Sequence, residues 1–232
     1  MTRKGEAQRG PLKMRGAGVS GLEQMLSEYK TLAGEGTAEL VEKRSRFIGR
    51  CAPVESEAAA LEFVASIKAE HKTATHNVWA YSVRENNLAR YTDDGEPQGT
   101  AGLPVLNCVT GRGLVDAAVV VTRYFGGTLL GKGGLVRAYS AAAAAAIESA
   151  GIAVMAPCAT LKLACPYADY ERVSRMLESC GAAAASEFAA EVNITATVRE
   201  SALASLESEL RELTGGRLAG EIVSRGFERL PD

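Results

Sequence analysis

A glycine-rich segment with one lysine is the part of this 232-residue chain whose residue types and spacing most directly suggest chemistry. It reads VVVTRYFGGTLLGKGGLVRAYSAAAAAA over residues 119–146. Gly126, Gly131 and Lys132 have the spacing of a phosphate-binding P-loop, but Gly133 stands where that pattern needs Ser or Thr. Because the missing hydroxyl would bind the magnesium ion of nucleotide hydrolysis, the sequence argues against a nucleotide hydrolase.

The glycine cluster is still suited to holding an anion. Glycine can point successive backbone N–H groups at one spot, and the start of a helix adds partial positive charge there. Basic side chains around the cluster provide charged donors for phosphate. The predicted anion site consists of Arg123, Gly126, Gly127, Lys132, Gly133, Gly134 and Arg137. In the alternative interpretation, the glycines only allow a tight strand-to-helix turn and the basic residues are solvated.

A second group of polar residues lies in an acidic loop, residues 93–104, and around a basic strand near Phe47. The carboxylates of the loop could bind a metal or act as acid and base, although the same residues are ordinary turn formers. The basic residues could flank a bound polyanion or form a solvated face. These secondary candidates are Arg44, Arg46, His76, Asp93, Asp94 and Glu96. The sequence predicts no catalytic residue, no metal site and no cofactor.

Composition limits the classes of function. The chain is 47% hydrophobic and 23% charged, as a soluble globular protein is, and its formal net charge is −2. A polyanion would therefore need a local basic patch. Five cysteines without a CxxC pair, together with the lack of an export signal, favour a cytoplasmic protein with reduced thiols. No stretch is apolar enough to predict a membrane span.

Hydrophobic periodicity predicts the elements that position these residues. In chain order we expect two strands or a bent hairpin over residues 36–54, a helix over 55–71, a hairpin from 76 that turns at 85–87, an irregular loop over 93–104, a short helix around 106–110, a strand over 114–122 and a helix over 134–148. Six consecutive alanines in the last helix would let another element approach its backbone closely.

The remainder of the chain predicts a different plan. We expect a strand over residues 158–165, a helix over 167–181, two strands within 182–198, a helix over 200–216 and a final strand over 218–229. This βαββαβ order is the ferredoxin-like arrangement.

The predicted organisation has three parts. Residues 1–24 are expected to be a disordered tail or a misassigned start, with Met25 as the true first residue. Two domains follow, at 27–152 and 157–232, and Pro157 marks the linker between them.

Three segments, EKRSRFIGRC, YTDDGEPQGTAGLPVL and VVVTRYFGGTLLGKGGLVRAYS, together resemble the signature segments of the YigZ/IMPACT family. The resemblance implies an α+β fold. Its N-terminal domain would be an α/β sandwich like the second domain of a small-subunit ribosomal protein, and its ferredoxin-like domain would be similar to the last domain of elongation factor G. Gln98, Val78 and Lys132 depart from the family pattern, so the near-match to a P-loop rests on a residue that the family does not require.

The resemblance also implies a connection with translation. Eukaryotic relatives bind the activator of a stress kinase, and binding of nucleic acid or of ribosome-related partners is the usual proposal for bacterial members. We therefore expect a cytoplasmic binding protein that takes RNA or another polyanion at the glycine-rich site. Two alternatives stay open: a protein-interaction module acting on a translation regulator, and a metal-assisted enzyme that uses the acidic loop on a small phosphorylated substrate.

Overall fold

The computed structural model describes residues 28–229, which fall into two compact units. The first unit is Tyr29–Ala153, and the second comprises Glu28 and residues 154–229. The expectations for residues 1–24 and for Met25 lie outside the described residues. Both units combine helices with antiparallel sheets, so the predicted α+β fold class is confirmed.

The first unit is built on a five-stranded antiparallel sheet with the strand order β2-β3-β6-β4-β5. Its elements are β1 (Tyr29–Leu32), β2 (Gly36–Glu42), β3 (Ser45–Pro53), α1 (Glu57–Glu70), β4 (His76–Val83), β5 (Leu88–Thr92), α2 (Gly102–Thr110), β6 (Ala117–Tyr124) and α3 (Lys132–Ala150). A short 3-10 helix, Glu85–Asn87, makes the β4–β5 turn at the predicted place.

Both faces of this sheet are covered by helices. Along β4, Val78 and Ala80 face the core formed with α2 and α3, whereas Trp79 and Tyr81 face the core formed with α1. Because successive side chains of a strand point to opposite faces, alternate residues of β4 belong to different cores. Because helices cover both faces, central strand β6 is buried on both sides from Ala117 to Arg123.

The alanine-rich helix α3 packs with its backbone close to β2 and β3. A Cβ atom added at Gly49 would lie 2.4 Å from the carbonyl oxygen of Ala142, and one added at Gly36 would lie 2.2 Å from that of Ala146. Both alanines are fully buried. The expected close approach to the alanine run is therefore confirmed, and glycine is needed on the facing strands.

Helices α2 and α3 both begin earlier than predicted. Helix α2 begins at Gly102, inside the predicted loop, because the Asp93 carboxylate accepts the N–H groups of Ala101 and Gly102 and thereby caps the helix. Helix α3 begins at Lys132, two residues before the predicted start. Neither start carries a local capping side chain that a sequence pattern could detect.

The second unit has the ferredoxin-like plan. Strand β7 (Ile152–Cys165), which begins in the first unit, is followed by α4 (Tyr167–Ser179), β8 (Ala183–Phe188), β9 (Val192–Arg199), α5 (Leu203–Thr214) and β10 (Glu221–Glu228). The pairings give the order β10-β7-β9-β8. Helices α4 and α5 pack with the sheet around Leu161, Ile194 and Leu206. The predicted βαββαβ order is confirmed.

Pro157 does not lie in a linker, as the sequence suggested, but within β7. The ladder between β7 and β9 starts only at Cys158, so the missing N–H of Pro157 removes no hydrogen bond to β9. Within residues 28–229, no helix has the length and apolar character needed to cross a membrane.

We predict that Gly49→Ala lowers the free energy of unfolding by about 1–3 kcal/mol, because the added methyl group overpacks the contact with α3. Urea denaturation followed by circular dichroism measures the effect. Gly34→Ala is the matched control, since a Cβ atom at Gly34 meets nothing within 4 Å. Equal stability of the two variants would contradict the close approach.

Candidate functional site

Three elements of the first unit meet at the buried carboxylate of Glu96, whose side chain is 4% exposed. Its Oε1 atom accepts hydrogen bonds from Arg123 at 2.6 Å and from the hydroxyl of Tyr139 at 2.7 Å. Glu96 lies in the acidic loop, Arg123 near the end of β6 and Tyr139 in α3. His76, at the start of β4, places Nε2 3.7 Å from the same oxygen. The acidic loop and the glycine-rich segment therefore share one polar cluster.

Arg123 supports the start of the glycine-rich loop, residues 125–131, through Ser45. Its side chain is 5% exposed, and a second guanidinium nitrogen donates to Ser45 Oγ at 3.3 Å. The same Ser45 oxygen accepts the backbone N–H of Gly126 at 3.2 Å. The sequence proposed Arg123 as an anion ligand, but the structure pairs its charge with Glu96 and buries it.

The first residues of the loop are fixed in two further ways. Phe125 donates its backbone N–H to Thr75 Oγ1 at 3.0 Å. Gly126 packs directly on the turn between β2 and β3, where an added Cβ atom would lie 2.0 Å from the carbonyl carbon of Arg44. No side chain fits there. Further along, Gly127 and Gly131 have φ angles of 82° and 73°, a region that favours glycine.

The loop leads into the exposed N-terminus of α3. Lys132 and Gly133 are exposed, and Gly134 is half-exposed. The first backbone N–H groups of a helix have no partner within it, and for these three residues we find none elsewhere in the described chain. A Cβ atom added at Gly133 would lie 3.6 Å from a guanidinium nitrogen of Arg137, so that side chain reaches back along the first turn.

Exposed cations occur on both sides of the contact between Gly126 and the β2–β3 turn. Lys43 and Arg44 form that turn, and Lys132 and Arg137 lie at the start of α3. All four side chains belong to exposed residues, and none forms an ion pair with another residue in the range 28–229. Arg46 differs, because it makes two hydrogen bonds to Glu39, at 2.6 and 2.7 Å.

The other carboxylates of the acidic loop hold the loop itself. Asp93 accepts backbone N–H groups of Gly99, Ala101 and Gly102 at 2.9, 3.1 and 2.8 Å. Asp94 accepts the N–H of Asn77 at 2.7 Å, and its backbone oxygen is 2.8 Å from His76 Nδ1. In the described part of the chain, no group of three or more His, Cys, Asp or Glu residues is arranged to hold a metal ion.

Burial keeps the hydroxyl of Tyr139 and, elsewhere in the first unit, the thiol of Cys51 protonated. Desolvation, and then the neighbouring charge of Glu96, raise the pKa of Tyr139 far above its usual value. Its hydroxyl therefore donates to Glu96 at neutral pH. Burial likewise raises the pKa of the Cys51 thiol to about 11, so it is a poor nucleophile at neutral pH. Tyr139 and Ser45 were missed by sequence analysis, because nothing in their local sequence indicates contact with a distant carboxylate or arginine.

We predict that Glu96→Gln lowers the free energy of unfolding by about 3 kcal/mol, because it leaves the Arg123 guanidinium buried without a counter-charge. Chemical denaturation checks this value. The matched control is Glu39→Gln, which breaks the exposed ion pair with Arg46 and should leave stability almost unchanged. If both variants unfolded at the same denaturant concentration, the buried pair would not have the assigned role.

Comparison with known proteins matches both units to described domains. Residues 43–147 match the Impact N-terminal domain, and residues 163–217 match a domain of unknown function, DUF1949. A solved structure described as that of a hypothetical protein is 30% identical to this chain, with a TM-score of 0.56. That match covers 86% of this chain and 98% of the other.

Three curated relatives carry the same family description. IMPACT family member YvyE of Bacillus subtilis is 45% identical over 55% of this chain and 59% of its own length. An IMPACT family member of Haemophilus influenzae is 35% identical over 79% of this chain and 91% of its own length. IMPACT family member YigZ of Escherichia coli is 33% identical over 76% and 88%, respectively. The chain therefore belongs to the YigZ/IMPACT family.

Proposed function

We propose that this protein is a translation-associated binding protein that holds RNA, or another polyanion, on the exposed surface around the glycine-rich loop. The observation that carries this proposal is the contact between Gly126 and Arg44. It joins an exposed cationic turn to a loop that ends at an open helix N-terminus. The connection with translation and the cytoplasmic location rest on the family resemblance.

The charges on this surface support binding of phosphates. Lys43, Arg44, Lys132 and Arg137 have no acidic partner in residues 28–229, so binding a phosphate would break no ion pair described there. The free N–H groups at the start of α3 are donors of the kind that bind phosphate at other helix N-termini. Because the net charge of the chain is −2, such binding depends on this local patch.

The roles of the candidate residues follow from their exposure. Arg44, Lys132 and Arg137 would contact phosphate groups, together with the backbone of Gly133 and Gly134. Arg123 would act as a positioning residue, since its guanidinium pairs with buried Glu96 and supports the loop through Ser45. Arg46 would contribute little, because Glu39 already neutralises it.

The acidic loop gives less support to a metal-assisted enzyme. Each of its three carboxylates accepts hydrogen bonds from within the chain, and two of them mainly bind backbone N–H groups. A protein-interaction module remains the principal competing function, and the same basic surface could serve it. A partner that stays bound to the protein after nuclease treatment would favour the protein-interaction module over RNA binding.

We predict that Arg44→Ala and Lys132→Ala each weaken binding of a short oligouridylate and reduce the slope of log affinity against log salt by about 0.7, the contribution of one phosphate contact on a single strand. Fluorescence anisotropy over a series of salt concentrations measures both quantities. Lys162→Ala, which removes an exposed lysine from the second unit, is the control and should change neither. Unchanged affinity and slope in both test variants would contradict the proposed site.

A further inference from the structure

Phe125 is an exposed aromatic residue at the start of the glycine-rich loop. It is 45% exposed, whereas Phe47, Tyr81 and Tyr139 of the same unit are fully buried. Exposing an aromatic ring to water is unfavourable, and the next residue in the chain, Gly126, contacts the cationic β2–β3 turn. Its position thus combines an apolar surface with nearby positive charge.

The position of Phe125 is held by the surrounding structure. Its backbone N–H bonds to Thr75, and the N–H of Gly126 bonds to Ser45. The Arg123 guanidinium lies 5.4 Å from the ring centroid and is itself held by Glu96. A surface that is already ordered loses little conformational entropy when a ligand binds, which favours affinity.

We propose that Phe125 is a stacking platform for an unpaired base, so that the site selects single-stranded over double-stranded RNA. This inference rests on the proposed function and adds the class of RNA. Exposed aromatic side chains beside basic residues bind single strands by base stacking and phosphate contacts. In duplex RNA the bases are stacked within the helix and cannot reach the ring. Because every base has an aromatic face, Phe125 would tolerate many sequences.

The charges around Phe125 match this ligand better than an apolar protein partner. Lys43 and Arg44 border the loop on one side, and Lys132 follows at its end. A nucleotide presents a flat apolar base and an anionic phosphate a short distance apart, which corresponds to an exposed ring in a loop bordered by unpaired cations. Leu61 of α1, which is 45% exposed like Phe125, offers apolar surface without an aromatic face outside the loop and so serves as a control.

The test compares three ligands of equal length by fluorescence anisotropy: an oligouridylate, a strand of the same charge that lacks its bases, and an RNA duplex. Phe125→Ala should weaken oligouridylate binding by about 5- to 100-fold. It should leave binding of the base-free strand and the salt slope unchanged, because it removes no charge. Phe125→Tyr, which keeps an aromatic face, and Leu61→Ala, which lies outside the loop, should bind oligouridylate as the wild type does.

The outcomes separate this inference from the proposed function. If Phe125→Ala binds oligouridylate as tightly as the wild type while Arg44→Ala binds it more weakly, stacking is wrong and the phosphate site stands. Tighter binding of the duplex than of the single strand also overturns the inference. If the wild-type protein binds none of the three ligands, both the inference and the proposed function fail. Unchanged melting temperatures show that the variants remain folded.

Discussion

The buried ion pair between Glu96 and Arg123 is the interaction on which the organisation of the site depends. Transfer of either charge from water to the interior is costly, and the cost is offset only when a partner of opposite charge and further hydrogen bonds are present. Arg123 supplies the opposite charge to Glu96, and Tyr139 donates a further hydrogen bond to it. Arg123 also donates a hydrogen bond to Ser45. The acidic loop, the end of β6 and helix α3 are therefore constrained to meet at one point.

This constraint explains how a buried cluster can position an exposed surface. Ser45 joins Arg123 to the backbone of Gly126, and Gly126 in turn contacts the backbone of Arg44. The exposed residues around the loop are thus positioned by contacts with the buried cluster. In the proposed function the acidic segment would contribute to binding only indirectly, by supplying the carboxylate that neutralises Arg123.

Several features of the fold could be predicted from local sequence. The alternation along β4 identifies its two faces, and the order of helical and strand patterns after residue 157 identifies the ferredoxin-like unit. The burial of Arg123 could not be predicted, because its counter-charge comes from a loop 27 positions away in the sequence. The early start of α2 was missed for a similar reason, since its cap is provided by Asp93 across an irregular loop.

We propose that RNA binds to the glycine-rich loop and the adjoining turn, which the buried pair of Glu96 and Arg123 positions through Ser45. Ultraviolet crosslinking of the full-length protein to an oligouridylate, followed by mass spectrometry of the crosslinked peptides, tests it most directly. We expect the principal crosslink to fall on Phe125 or its immediate neighbours in the loop. Crosslinks confined to the second unit would contradict it.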